Sequence, residues 1–303
     1  MHNQKKACAF ALLAVLFWST IASAFNLTLR HMHYMRLLLY ASAVTIIVLF
    51  VILIISNKTR LLTQCSIQEY ARSALLGFLN PFLYYAILLK AYSMIPAQEA
   101  GVLNYTWPLM LVLLSIPLLK QRPGVMSIVA IVISFAGVCI IGTRGNLVSL
   151  QFNNTPGVLL AAGSSVIWAL FWIFNVKDNR DETVKLFMNF VFGFVFILAA
   201  NLILFRSIPI QFKGLAGAVY IGLFEMGITF VLWLSALKYS ATTAKVSNLI
   251  FLSPFISLFF IRVLVGETIL VSTVVGLIFI ISGIILQQYG QKIHRIKQKK
   301  QEV

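Results

Sequence analysis

Apolar runs of about 17–24 residues recur along the whole chain, separated by short clusters of charged and turn-forming residues. A helix rises 1.5 Å per residue and the hydrocarbon core of a bilayer is about 30 Å thick, so each such run predicts one transmembrane helix. The runs fall at 7–29, 37–55, 72–92, 97–119, 125–141, 157–176, 184–205, 214–237, 242–265 and 269–289. The expectation is an all-α polytopic membrane protein with ten spans.

One polar residue stands out inside these runs. Glu225 lies about 11 residues from either end of 214–237, roughly 17 Å of helix rise from water. A carboxylate at that depth costs about 2.5 kcal/mol or more, so it is expected to face a bundle interior or wet cavity and to mark a substrate or proton pathway. The plainer alternative is a protonated acid hydrogen-bonded to a neighbouring helix. At helical spacing Glu225 shares a face with Gly214, Ala218, Gly222, Thr229 and Trp233, and Ser73, Gly77, Asn80 and Tyr84 repeat the scheme in the third run. The small residues on these faces predict close helix packing.

The pattern also repeats within the chain. Gly77 to Tyr84 aligns with Gly222 to Thr229, which pairs Asn80 with Glu225; Pro108 pairs with Pro254, and Gly137 with Gly283. Phe17-Trp18 aligns with Ile167-Trp168, and each is followed by an asparagine, Asn26 or Asn175. Two five-span units are expected, 1–145 and 146–291, with a basic cytoplasmic tail at 292–303. Five is odd, so the units thread the membrane in opposite directions, an inverted repeat that places a site near mid-membrane between them. Lys5, Lys6, the first apolar run and Ala22-Ser23-Ala24 together imitate a secretory signal peptide. Cleavage there would remove the partner of the sixth span, so the first run is expected to stay. Pro108 and Pro254, deep in the fourth and ninth spans, predict paired kinks.

Composition excludes the soluble classes. The chain is 60% hydrophobic and 11% charged, with a mean hydropathy of +0.93, against about 25% charge in soluble domains. The net charge of +16 comes from residues between apolar runs and in the tail, which fits anionic lipid and membrane orientation, not nucleic acid. With the termini inside, only Arg30, Arg36, Lys90, Arg144, Arg206, Lys213 and Arg262 fall outside, 7 of the 24 Lys and Arg against 17 inside. Both termini are therefore expected on the cytoplasmic side of a bacterial inner membrane. The three cysteines form no C-x-x-C pair, and His31 and His33 read as interfacial residues, so no metal and no cofactor are expected. Glu99 and Lys245, at the starts of the fourth and ninth spans, are expected to snorkel to headgroups, although Lys245 and Asn248 share a face that can turn inward. No histidine lies in a span and Ser164-Ser165 has no evident base, which argues against an intramembrane enzyme.

Leu16-Phe17-Trp18-Ser19-Thr20 in the first span and Gln98-Glu99-Ala-Gly-Val-Leu-Asn104-Tyr105-Thr106-Trp107-Pro108 at the fourth carry a resemblance. With the ten-span pattern, they resemble the EamA-type family of the drug/metabolite transporter superfamily, and within it the branch of aromatic amino acid exporters. The second half departs from the motif, reading Asn248-Leu-Ile-Phe-Leu-Ser253-Pro254. The resemblance implies a central cavity lined by spans one, three, four, six, eight and nine. Residue by residue it implicates Trp18, Asn80, Tyr84, Asn104, Tyr105, Trp107, Trp168, Trp172, Glu225, Thr229, Trp233 and Asn248. The function expected is export of a small metabolite, an amino acid or related amphipathic solute, coupled to a proton or Na+. A drug/cation or nucleotide-type carrier, an importer and a non-transporting assembly or sensor subunit are the alternatives.

Overall fold

A computed structural model describes residues 4–119, 125–146, 154–205, 212–240 and 248–301. All secondary structure among them is helical. Six helical stretches are long and apolar enough to cross a membrane: Gln4–Leu29, Tyr34–Ile55, Ile67–Tyr92, Thr155–Asn175, Glu182–Leu204 and Gly214–Trp233. Shorter apolar helices run over Ile128–Gly142, Leu249–Val265 and Val271–Gln287. Lys245 and Arg206 lie outside the described residues, as do the side chains of Asn248, Lys213 and the basic tail.

The helices are α1 (Gln4–Leu29), α2 (Tyr34–Ile55), α3 (Ile67–Gly77), α4 (Tyr84–Tyr92), α5 (Ala97–Asn104), α6 (Trp107–Leu119) and α7 (Val125–Gly142), followed by α8 (Thr155–Val176), α9 (Glu182–Leu204), α10 (Phe212–Phe224), α11 (Ile228–Tyr239), α12 (Ser253–Phe260) and α13 (Val271–Gln301). Polar residues at their starts satisfy the otherwise orphaned amides of the first turn. Ser66 and Glu69 form a reciprocal capping box on α3. Asn154 accepts from Gly157 N at 3.0 Å at α8, and Asp181 accepts from Thr183 N at 3.0 Å at α9. His33 Nδ1 accepts from Met35 N at 3.3 Å, so this histidine is the cap of α2.

Contacts between helices follow a reciprocal scheme. α1 packs on α10, α11 and α12, whereas α8 packs on α4, α5 and α6. α2 packs on α9 and α10, and α9 on α2 and α3. α7 lies along α13, with Ser134 Oγ donating to Ile280 O at 3.2 Å. Small residues permit these approaches. A Cβ on Gly77 would stand 2.7 Å from Gly193 N and closer still to the backbone of Asn189; one on Gly222 would meet Ala41 O at 2.5 Å. Gly77→Val is therefore expected to lower stability by about 1–3 kcal/mol through overpacking, read as a lower Tm of the detergent-solubilised protein. An unchanged Tm would show that α3 and α9 separate at little cost.

At one end of the bundle, one ion pair joins the connection after α2 to the connection before α9, and a second within that connection ties it to α3. Lys58 Nζ meets Asp181 Oδ2 at 2.6 Å, and Arg180 meets Asp178 Oδ2 at 2.6 Å while donating to Ser73 Oγ at 2.8 Å. Burial pushes the carboxyl of Asp178 upward, but the hydrogen bonds and charge of Arg180 outweigh it and hold the pKa below the ordinary value. Burial also raises Asp181, and Lys58 with the capped amides brings it below the ordinary value. A depressed folded pKa contributes stability above the unfolded pKa, about 4 for aspartate, and that contribution is lost as pH falls through the folded pKa. Thermal stability should accordingly decline below about pH 4, and Asp178→Asn should flatten that part of the profile; an identical profile in the variant would remove these pairs from the account.

Candidate functional site

Two of the expected straight spans are broken, and the breaks carry the paired polar residues. The chain is not helical from 225 to 227, so Glu225 sits in a turn between α10 and α11, and not on one face of a continuous helix. In the first half, Phe78–Leu83 is a π-helical segment in which Asn80 has φ −148° and ψ 118°, before a cis Asn80-Pro81 bond. A broken helix in a bilayer must have its freed carbonyls satisfied by protein. Around Glu225 side chains do this: Thr45 Oγ1 donates to Gly222 O at 3.0 Å, Thr229 Oγ1 donates to Phe224 O, and Trp18 Nε1 donates to Glu225 O at 3.4 Å. Thr229, in the first turn of α11, is thereby buried against the break.

The paired prolines mark breaks as well. α5 ends at Asn104 and α6 begins at Trp107, so Pro108 lies in the first turn of a new helix. Pro254 occupies the same place in α12, after a short 3₁₀ segment over Asn248–Leu252. The first turn of a helix tolerates proline because its amide has no intrahelical partner there.

A cavity of about 610 Å³ lies where the breaks at Glu225, before Pro108 and before Pro254 meet, within the range of small-molecule sites. Its wall comes from α1, α4, α5, α6, α8, the Glu225 turn, α11, the 3₁₀ segment and α12. Among the residues singled out from the sequence, Trp18, Tyr84, Asn104, Tyr105, Trp107, Trp168, Trp172, Glu225 and Trp233 line it, with Pro108 and Pro254. Asn80 and Thr229 do not. Asn80 is buried against α9, and its amide has no hydrogen-bond partner among the described residues; Asn189 of α9 is in the same state. The placement of the Asn248 side chain lies outside the described residues.

The aromatic wall is continuous across the two halves of the chain. Trp18 stands 5.5 Å from Trp233 and 5.9 Å from Phe230 between ring centroids; Phe230 reaches Trp168 at 6.2 Å, and Trp168 reaches Tyr84 at 4.6 Å. Polar members of the wall largely bond one another. Tyr84 donates to Asn104 Oδ1 at 3.1 Å, and Asn104 Nδ2 donates to Ser164 Oγ at 2.8 Å. Thr106 and Ser165 hydroxyls meet at 3.0 Å, so the Ser164-Ser165 pair anchors the Asn104 to Pro108 stretch. Glu225 differs. Its Oε1 accepts from Tyr85 at 3.0 Å, and it has no ion-pair partner among the described residues.

Two features of the site escape a reading of the sequence. Tyr85 is fully buried behind Glu225 and orients its carboxylate; one tyrosine beside another in an apolar run carries no signal for that role. The other is a clasp over the end of the cavity formed by α5. Glu267 accepts from Ala97 N at 2.9 Å and Gln98 N at 3.3 Å, capping α5 from the distant segment after α12. Gln98 answers by donating to Thr268 O at 2.9 Å and accepting from Leu270 N at 2.9 Å and Thr273 Oγ1 at 3.0 Å. Gly266, at φ 80°, turns the chain so that Glu267 reaches back. Glu99 beside it is 1% exposed and paired with Arg144 at 2.8 Å. It is turned inward instead of toward headgroups, with its charge matched by Arg144. Arg30 adds a bond to Val265 O at 3.2 Å.

Among the described residues no group of three His, Cys, Asp or Glu is placed to hold a metal ion. Comparison with known proteins gives a consistent picture. The model of the EamA-like transporter family matches residues 5–143 and again 155–287. An uncharacterised transporter of Clostridium kluyveri is 25% identical over 297 residues, 95% of this chain and 94% of that one. The aromatic amino acid exporter YddG of Ancylobacter novellus is 29% identical over 155 residues, 50% of this chain and 53% of the exporter. One solved crystal structure superposes with a TM-score of 0.65 at 19% identity, covering 96% of this chain and 99% of the other, a likeness of fold.

Proposed function

Because the chain belongs to the EamA-like transporter family, we propose that it is a secondary transporter that moves a small amphipathic solute outward by alternating access around the cavity at Glu225. The observation that carries this reading is the 610 Å³ cavity with an acid in a helix break on its wall. A broken span at mid-membrane is where carriers build their sites, since unwound backbone and polar side chains are tolerable only beside protein or a water-filled cavity. A non-transporting subunit has no use for such a space.

The ten-span, two-unit organisation with divisions at 1–145 and 146–291 is part of the same proposal. It is supported by the reciprocal packing of α1 and α8 on the opposite halves, by the pairing of α7 with α13, and by two separate matches to one family model. With both termini cytoplasmic, the clasp at Glu267 closes the outer side and the ion pairs at Asp178 and Asp181 lie on the inner side. Release to the outside then requires α5 to part from Glu267, while the aromatic wall and Glu225 hold the solute. The amino acid exporter among its relatives supports outward movement.

Counterflow in proteoliposomes decides the matter. A panel of metabolites is expected to give saturable exchange for at least one class, accelerated by an imposed gradient of pH or Na+. Absence of exchange with every compound, in vesicles that hold folded protein, would overturn the carrier reading in favour of a subunit role.

A further inference from the structure

The chemistry of the wall narrows the solute, provided that the cavity is the transport site proposed above. All five tryptophans of the chain, Trp18, Trp107, Trp168, Trp172 and Trp233, line it. Trp18 packs beside Trp233 and Phe230, Phe230 beside Trp168 and Trp168 beside Tyr84, and the Trp18 indole reaches the Glu225 turn through its N–H. Aromatic faces carry negative quadrupoles and attract cations within about 6 Å. The acid reinforces the same preference. Tyr85 holds one oxygen of Glu225, and among the described residues no hydrogen bond from protein reaches the other.

A negatively charged group finds little opposite charge on this wall. Among the described residues the one cationic side chain on the wall is Lys177. It stands just past the end of α8, exposed, with its ammonium 5.9 Å from the Phe174 ring centroid. On the wall the amide of Asn104 is engaged by Tyr84 and Ser164, and Gln98 by Glu267, Thr268, Leu270 and Thr273, while the indole N–H of Trp172 is an uncharged donor without a partner among the described residues. A carboxylate placed beside the rings would lose its water, gain no cation and meet the acidic side chain of Glu225, an unfavourable combination. An ammonium in the same place gains a charge-assisted bond and ring faces together.

We infer that the solute is an amphipathic organic cation: an amine, primary to quaternary, on an aromatic or alkyl body that carries no carboxylate. This departs from the zwitterionic amino acids that the exporter relative moves. The ring faces receive the body and part of the charge, and the free oxygen of Glu225 receives the rest.

A matched series of probes tests it on the full-length protein. Phenethylamine, benzyltrimethylammonium, L-phenylalanine and 3-phenylpropionate share one ring and differ in charge. Since every tryptophan lines the cavity, quenching of intrinsic fluorescence reports occupancy, and counterflow in proteoliposomes reports movement. Both amines should quench saturably, with half-saturation at least tenfold below that of phenylalanine and phenylpropionate, and at least one should exchange. Glu225→Gln should shrink the gap between amines and the other probes. The inference is overturned if phenylalanine or phenylpropionate binds as tightly as the amines, or if neither amine gives a saturable response. The ranking in the unaltered protein decides this even if the variant does not fold. Exchange of phenylalanine without the amines leaves the carrier reading intact and removes the solute class; selective quenching by the amines without any exchange does the reverse.

Discussion

Replacing Glu225 by glutamine is expected to cut gradient-driven flux by about ten- to a hundredfold while the protein remains folded in the membrane. Hydrogen bonds to charged groups contribute about 1.5–3 kcal/mol each, and about 1.4 kcal/mol is a factor of ten. Glutamine keeps the size of the side chain and can still accept from Tyr85, so the turn at 225–227 survives; what disappears is the negative charge and the capacity to take up a proton. Flux should be measured in proteoliposomes with matched protein content, since expression alone does not separate a folding defect from a transport defect. Tyr85→Phe supplies a graded control. It removes one 3.0 Å hydrogen bond from behind the acid and should cost about 1 kcal/mol, roughly a fivefold loss. Undiminished flux in Glu225→Gln would remove the acid from the mechanism altogether.

Glu267→Ala should loosen the end of the cavity formed by α5. The carboxylate caps two backbone amides and receives the Gln98 amide, and charge-assisted bonds of this kind are about twice as strong as neutral ones. If the carrier alternates as proposed, their loss acts on one conformation only, the one in which α5 and the 265–270 segment meet. A ligand or bond shifts a two-state equilibrium by its differential contribution, so about 1.5–3 kcal/mol moves the open population by about ten- to a hundredfold. Ser257→Cys on the cavity wall, in a background where Cys8, Cys65 and Cys139 are replaced by serine, gives the readout. A membrane-impermeant thiol reagent applied from the outer side should label it faster by at least tenfold in the Glu267→Ala protein. Equal labelling rates would show that this clasp is structural and that access is governed elsewhere.

The comparison between Asn80 and Glu225 shows how far a repeat can be trusted. Alignment of the two halves makes them equivalent, and both do sit where a span is broken. Their neighbours differ. Asn80 turns toward α9, where the close approach of Gly77 of α3 to Gly193 and Asn189 leaves little room. Glu225 turns toward α1 and α4, where Trp18 and Tyr85 hold it at the edge of an open space. Sequence equivalence specifies a position in the backbone trace, whereas the direction of a side chain depends on which helix packs beside it. Thr229 makes the same point, since spacing puts it on the face of Glu225 and the turn instead engages its hydroxyl on Phe224 O.

Hydrophobic run length by itself determined the all-helical membrane class of this protein and the location of the six helical stretches long enough to cross a bilayer, because a lipid bilayer demands helical segments of nearly fixed length. Embedded polarity likewise pointed to Glu225, since an ionisable residue at that depth is costly wherever it turns. The tryptophans and the Asn104 to Pro108 stretch were legible for a similar reason: large polar-edged rings and a helix-breaking residue are conspicuous within an apolar run. The break at 225–227, the support of Glu225 by Tyr85 and the capping of α5 by Glu267 were decided only by the tertiary structure. Each joins residues at least 140 positions apart or depends on carbonyls freed in one place and satisfied from another. Local propensity and periodicity describe a segment in isolation; they contain no term for a partner that arrives from the other half of the chain.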